Sequence, residues 1–157
     1  MGGAVDTGTS AFVLSVAGSG NMALQGIISG DGSLTMSGTG LLTLSGANTY
    51  SGETFINSGT LRIGSGGSGG GLTTTSSITN NASLVFNQTD TYGGSMAMVI
   101  SGSGSLSVLN GVLTLAAVNT YTGGTTLGGG QLTLAGGDNR LSTSGTITLS
   151  AGVLDLG

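Results

Sequence analysis

The sequence predicts an all-β protein, a right-handed parallel β-helix (β-solenoid) of about six to seven coils. Three features point there: a long internal repeat, apolar residues in short alternating triplets, and glycine-rich punctuation between them. Sliding the chain on itself gives a gapless match from about Phe12 to Met36 at a shift of about 72. Ile28-Ser29-Gly30 returns as Ile100-Ser101-Gly102, and Gly32-Ser33-Leu34 as Gly104-Ser105-Leu106. One residue is lost between Ser37 and Gly40. The shift then becomes about 71, and Leu42-Thr43-Leu44 returns as Leu113-Thr114-Leu115 and Asn48-Thr49-Tyr50 as Asn119-Thr120-Tyr121. The chain therefore reads as one segment, 1–157, made of two copies of a unit, approximately 11–82 and 83–157. Such self-similarity favours a stack of like elements over two separate domains.

The strands follow from the triplets Leu34-Thr35-Met36, Leu42-Thr43-Leu44, Leu61-Arg62-Ile63, Leu106-Ser107-Val108, Leu113-Thr114-Leu115, Leu132-Thr133-Leu134 and Ile147-Thr148-Leu149. Apolar residues two apart share one side of an extended chain. The outer members are thus expected inward, with Thr35, Thr43, Arg62, Thr114, Thr133 and Thr148 in solvent, a place that β-branched threonine suits. Turns are expected at Ser29-Gly30-Asp31-Gly32 and Gly123-Gly124. The steps from Leu42 to Leu61 and from Leu61 to Leu84, about 19 and about 23 residues, fit one coil, so that three coils would fill one unit. At the usual strand spacing the rod would be about 30 Å long, and parallel crossovers are expected to be right-handed. Gly64 to Gly71 reads as a looped-out insertion within one coil.

Composition narrows function. Only 5% of residues are charged, lysine and histidine are absent, and two arginines face six acids. No basic patch can be built from Arg62 and Arg140, which excludes a nucleic-acid partner. Without His or Cys there is no imidazole base, thiolate nucleophile, zinc finger or disulfide framework. Aromatic content of 4% leaves no bulky cluster to organise a globular core, so stability is expected from many thin Leu, Ile and Val layers. No apolar run is long enough for a transmembrane helix, and Ala11 to Ala17 is too short, without a basic flank, to be a signal peptide.

The stretch from Gly40 to Gly64, with Leu42-Thr43-Leu44, Asn48-Thr49-Tyr50-Ser51-Gly52, Thr54 and Leu61-Arg62-Ile63, resembles the passenger-associated transport repeat of bacterial autotransporters. A second copy spans 111–135 and keeps Asn119-Thr120-Tyr121-Thr122-Gly123, Thr125 and Leu132-Thr133-Leu134. It departs from the pattern at Ala116-Ala117-Val118 and Gly128-Gly129, which touch a turn. The resemblance implies a β-helical passenger segment, exported through both membranes by way of a C-terminal barrel and displayed at the bacterial surface or secreted. It further implies an adhesin or self-associating role, with this chain an excised internal piece of a larger protein. Absence of cysteine agrees, since a disulfide formed in the periplasm would hinder passage through a narrow pore.

Candidate sites are few. Asn48, Tyr50, Asn119 and Tyr121 could present amide and aromatic groups at the surface, as contact positions, or could be turn residues. In the turn reading, Asn bonds to nearby backbone and Tyr lies over the coil edge with its hydroxyl wet. Asp31 and Asp138 lie in Gly-rich turns, but a calcium-binding roll needs an Asp in turn after turn and the chain has five, so neither metal nor cofactor is expected. The acids Asp6, Asp31, Glu53, Asp90, Asp138 and Asp155 are scattered, whereas a glycosidase needs carboxylates converging on one cleft. No catalytic residue is assigned, and the protein is expected not to be an enzyme. The leading expectation is a non-catalytic stalk or adhesive module, with a like copy or a host-cell or matrix surface as partner. A filament subunit stacking head to tail through open coil ends is the first alternative. A polysaccharide- or ice-binding solenoid is the second, although Thr146-Ile147-Thr148 is nearly the only paired-threonine triplet.

Overall fold

A computed structural model describes residues 3–9, 12–72, 75–96, 98–137, 140–142 and 144–157. Ala11 and Asp138 lie outside them. The described residues contain strands and turns but no helix, and every strand pairing is parallel. The protein is a β-solenoid with three faces per coil.

Face three shows the stacking most fully. Met22, Leu42, Leu61, Leu84, Leu106, Thr125 and Ile147 pair one to the next, giving seven rungs and six turns at steps of about 20 residues. Face two runs through Leu14, Leu34, Thr54, Ile78 and Ile100, and is extended where the Thr120 amide donates to the Ile100 carbonyl at 2.9 Å. Face one holds Val5–Asp6, Ile28–Ser29, Ala47–Asn48 and Gly71–Leu72, then 91–96, 112–115, Gln131–Leu134 and Val153–Asp155. The strands Ser83–Met96 and Ser105–Leu115 are long because each bends from face three into the next pass of face one.

Period-two patterning decides what is inside. Leu42, Leu44, Leu61, Ile63, Leu84, Leu106, Leu113 and Leu115 are all buried, and each such side chain removed from water contributes roughly 1.5–3 kcal/mol. Thr35, Thr114 and Thr133 are partly exposed on the outer side, and Thr148 is exposed. The buried residues form one continuous apolar cluster along the rod, with Tyr50 and Tyr121 its two largest fully buried members.

Pairing shows that one sequence unit is not three coils. Three steps along face two carry Leu34 only as far as Ile100. The repeat counterpart of Leu34 is Leu106, which lies beyond Ile100 and on face three, where it pairs with Leu84. The unit therefore spans three coils and one additional face. The second copy is turned by one face about the rod relative to the first.

Two further expectations need correction. Thr43 is buried rather than solvent-facing, because the Arg62 side chain from the next coil reaches its hydroxyl, with Nη2 donating to Oγ1 at 3.0 Å. Ile147 and Leu149 belong to the inward set but are 45% and 54% exposed, because their rung has a neighbour on one side only. The glycine-rich segment lies within the coil that runs from Leu61 to Leu84, with residues 65–69 exposed, and it is bonded to both adjacent coils. Gly71 donates to the Gly46 carbonyl on one side, while on the other Gly66 donates to Asn87 and Thr89 donates to Gly67.

Candidate functional site

The sharpest motif in the sequence forms an internal clasp. Asn48 closes a short strand on face one and is only 1% exposed. Its Oδ1 accepts from the Ile28 amide at 2.9 Å, in the preceding coil. Its Nδ2 donates to the Gly46 carbonyl at 2.8 Å and, in the following coil, to the Gly71 carbonyl at 3.0 Å. One amide side chain thereby satisfies backbone groups of three successive coils at a corner where the ladder is interrupted, and such groups left unpaired are costly.

Asn119 repeats the arrangement one unit later. It accepts from Ile100 at 2.8 Å and donates to Ala117 at 3.0 Å and Arg140 at 2.6 Å. The departure at Ala116-Ala117-Val118 leaves this geometry intact, since the contact uses the backbone carbonyl of residue 117 and not its side chain.

Two residues on, the chain turns Tyr50 into the core. Its hydroxyl lies 2.7 Å from Thr54 Oγ1, itself 3.2 Å from Thr75 Oγ1 in the next coil, and Thr75 donates to the Gly52 carbonyl at 2.6 Å. Tyr121 and Thr125 form the same pair at 2.6 Å. Burial pushes both phenols up from their ordinary value near 10, with the threonine hydrogen bond offsetting part of the rise. The glycine of the motif is fixed by the neighbouring coil. A Cβ on Gly52 would run into the Gly32 carbonyl oxygen, and one on Gly123 into that of Gly104.

Asn48, Tyr50, Asn119 and Tyr121 are 1%, 1%, 4% and 1% exposed. The surface-contact expectation for these four is corrected: their side chains point into the rod, and the tyrosine hydroxyls are dry. The clasp is neutral, closed to water and without a nucleophile or base. Chemically it holds coils together.

Contacts with anything outside the rod fall to the outward positions. The acids there are occupied locally. Asp6 accepts from the Gly8 amide, Asp31 from Ser51, Glu53 from Ser77, Asp90 from the Gly69 amide and Asp155 from the Gly157 amide. Among the described residues no three His, Cys, Asp or Glu side chains come together, and no helix is long and apolar enough to cross a membrane. One outward position escaped the sequence reading. Phe55 stands on the outer side of face two, partly exposed, in register with Thr35 on one strand and Thr79 on the other. Its counterpart in the second copy is Thr126, a contrast visible in the sequence.

The passenger-associated-transport-repeat family matches residues 29–63, 110–134 and 127–156, just over half of the chain. The chain belongs to this family. All three matches fall on stacked rungs, and the two clasps, each with its buried Asn and Tyr, lie inside the first two. The third match lacks the Asn-Thr-Tyr tripeptide. Within it Gly130-Gln131-Leu132-Thr133-Leu134 is followed one coil later by Gly152-Val153-Leu154-Asp155-Leu156, and Leu132 pairs with Leu154. Beyond the repeat itself, the chain is 43% identical over 160 residues to the adhesin BmaC autotransporter of Brucella suis biovar 1 (strain 1330). That alignment covers 96% of this chain and 5% of the relative. No solved structure matches.

Proposed function

We propose that this passenger-associated-transport-repeat chain is a non-catalytic segment of a surface-displayed autotransporter passenger, acting as a rigid stalk with an adhesive outer face. The observation that carries the reading is the placement of the family motif. Its Asn, Tyr, Thr and Gly residues are spent on coil-to-coil bonding, so the repeat supplies the rod and leaves the outward side chains free to vary. Likeness to an autotransporter adhesin across nearly the whole chain supports the adhesive part and display at the cell surface. Absence of His and Cys from the sequence, and carboxylates engaged one by one in local hydrogen bonds, support a role without catalysis.

Beads coated with the purified chain, applied to host epithelial monolayers and to matrix-coated plates, test this reading. Attachment severalfold above albumin-coated beads is expected. Attachment no greater than albumin would overturn the adhesive part.

A further inference from the structure

Resting on that adhesive reading, we infer that face two of the first copy, centred on Phe55, is a contact surface for a neutral glycan chain. The two copies differ at this place. Where the first has Glu53 and Phe55, the second has Gly124 and Thr126; Phe55 and Thr126 sit in the parallel-stacked strands Thr54–Ile56 and Thr125–Leu127, and Glu53 and Gly124 immediately precede them. The solenoid therefore needs neither an aromatic ring nor a carboxylate there. The ring of Phe55 is partly exposed among the outward Ser15, Thr35, Thr79 and Ser101, and the adjoining row carries the exposed Val13 beside Ser33 and Val99 beside Ser77, so the face combines apolar groups with hydroxyls, the composition of a contact surface.

Its surroundings specify the ligand chemistry. Thr35 and Thr79 flank the ring on the adjacent strands, and the neighbouring outward row places Ser33, Glu53 and Ser77 side by side at the strand spacing of about 4.8 Å. The apolar C–H face of a pyranose fits against the negative face of an aromatic ring. The hydroxyls and the carboxylate can exchange hydrogen bonds with ring substituents. Charge decides among glycans. Glu53 is the one charged side chain in these two rows, while Arg62 is engaged with Thr43 and Arg140 with the Gly136 carbonyl. A sulfated or phosphorylated polymer would find no cation and would meet a carboxylate. A neutral chain laid along the rod avoids both penalties.

The test uses the intact chain on an array of neutral and sulfated oligosaccharides, followed by calorimetric titration of the best neutral hexasaccharide. Phe55→Thr, which installs the residue the second copy carries, is the variant of choice because it removes the ring without opening the core. The inference predicts binding to at least one neutral glycan, insensitive to added salt, with affinity about tenfold weaker in Phe55→Thr, equivalent to about 1.4 kcal/mol. Unchanged thermal unfolding of the variant shows that the fold survives. Equal binding by Phe55→Thr, binding confined to sulfated glycans, or no glycan bound at all would each overturn it. Cell attachment of coated beads that persists in Phe55→Thr would overturn the glycan surface while leaving the adhesive reading standing.

Discussion

The two copies of the unit agree inside and differ outside. Asn48 and Asn119 make matching contacts to three coils, and Tyr50 and Tyr121 reach matching threonines. Outside, Glu53, Phe55 and Arg62 give way to Gly124, Thr126 and Thr133. The second copy is also turned by one face, so equivalent outward residues look in different directions. What repeats is the means of stacking. The outer surface is where each copy acquires its own chemistry.

The comparison can be broken most forcefully at a core rung. Leu113→Asp places a charge without a partner in a thin apolar layer and is expected to cost about 3–5 kcal/mol, enough to unfold the second copy. Thr114→Asp, one position along and partly exposed, is expected to change thermal stability little. Equal damage from both would mean that the inward and outward sets are misassigned.

Replacing the clasp tests the equivalence of the copies. Asn48→Ala and Asn119→Ala each leave one backbone amide and two carbonyls without their side-chain partner, and a loss of about 2–4 kcal/mol is expected in either copy by denaturant unfolding. A cost in one copy alone would show that the motif has different roles in the two.

Steric fit at the motif glycine comes next. Gly52→Ala and Gly123→Ala push a methyl against a carbonyl of the neighbouring coil and should each cost about 1–3 kcal/mol. Gly67→Ala, where a Cβ meets nothing within 4 Å, is the matched control and should be nearly silent. The smallest effect belongs to the outer face. Exchanging Phe55→Thr and Thr126→Phe should shift stability by less than about 0.5 kcal/mol each, and a large shift would show that the outward differences are structural after all.

Much of this was legible in the sequence. The Leu-x-Leu triplets fix the inward rows because period two leaves one register that buries them, and Leu42, Leu61 and Leu84 do stack. The rotation between copies was hidden, because coil length varies between 19 and 23 residues from rung to rung, so the shift of the repeat does not by itself tell on which face the second copy resumes. The clasp was hidden for a different reason. Asn-Thr-Tyr-x-Gly has the residue types of an exposed turn, and what brings it inside is the interrupted ladder at a corner, where Ile28 and Gly71 need partners that only the neighbouring coil's Asn48 supplies. Burial of Thr43 likewise depends on Arg62, one coil away, folding back over it.

Alkaline titration of tyrosine absorbance, in the Tyr92→Phe variant that leaves only Tyr50 and Tyr121, tests the central claim that the family motif is turned inward to hold the rod together. Burial raises both phenols in the folded chain, so folding retains protons that the unfolded chain would lose. This contribution to stability is fully present below about pH 10 and is lost as pH rises beyond it. The account predicts no phenolate signal near pH 10, then its appearance at higher pH together with loss of the β-sheet circular dichroism. Titration of either tyrosine near pH 10 with the sheet intact would contradict it.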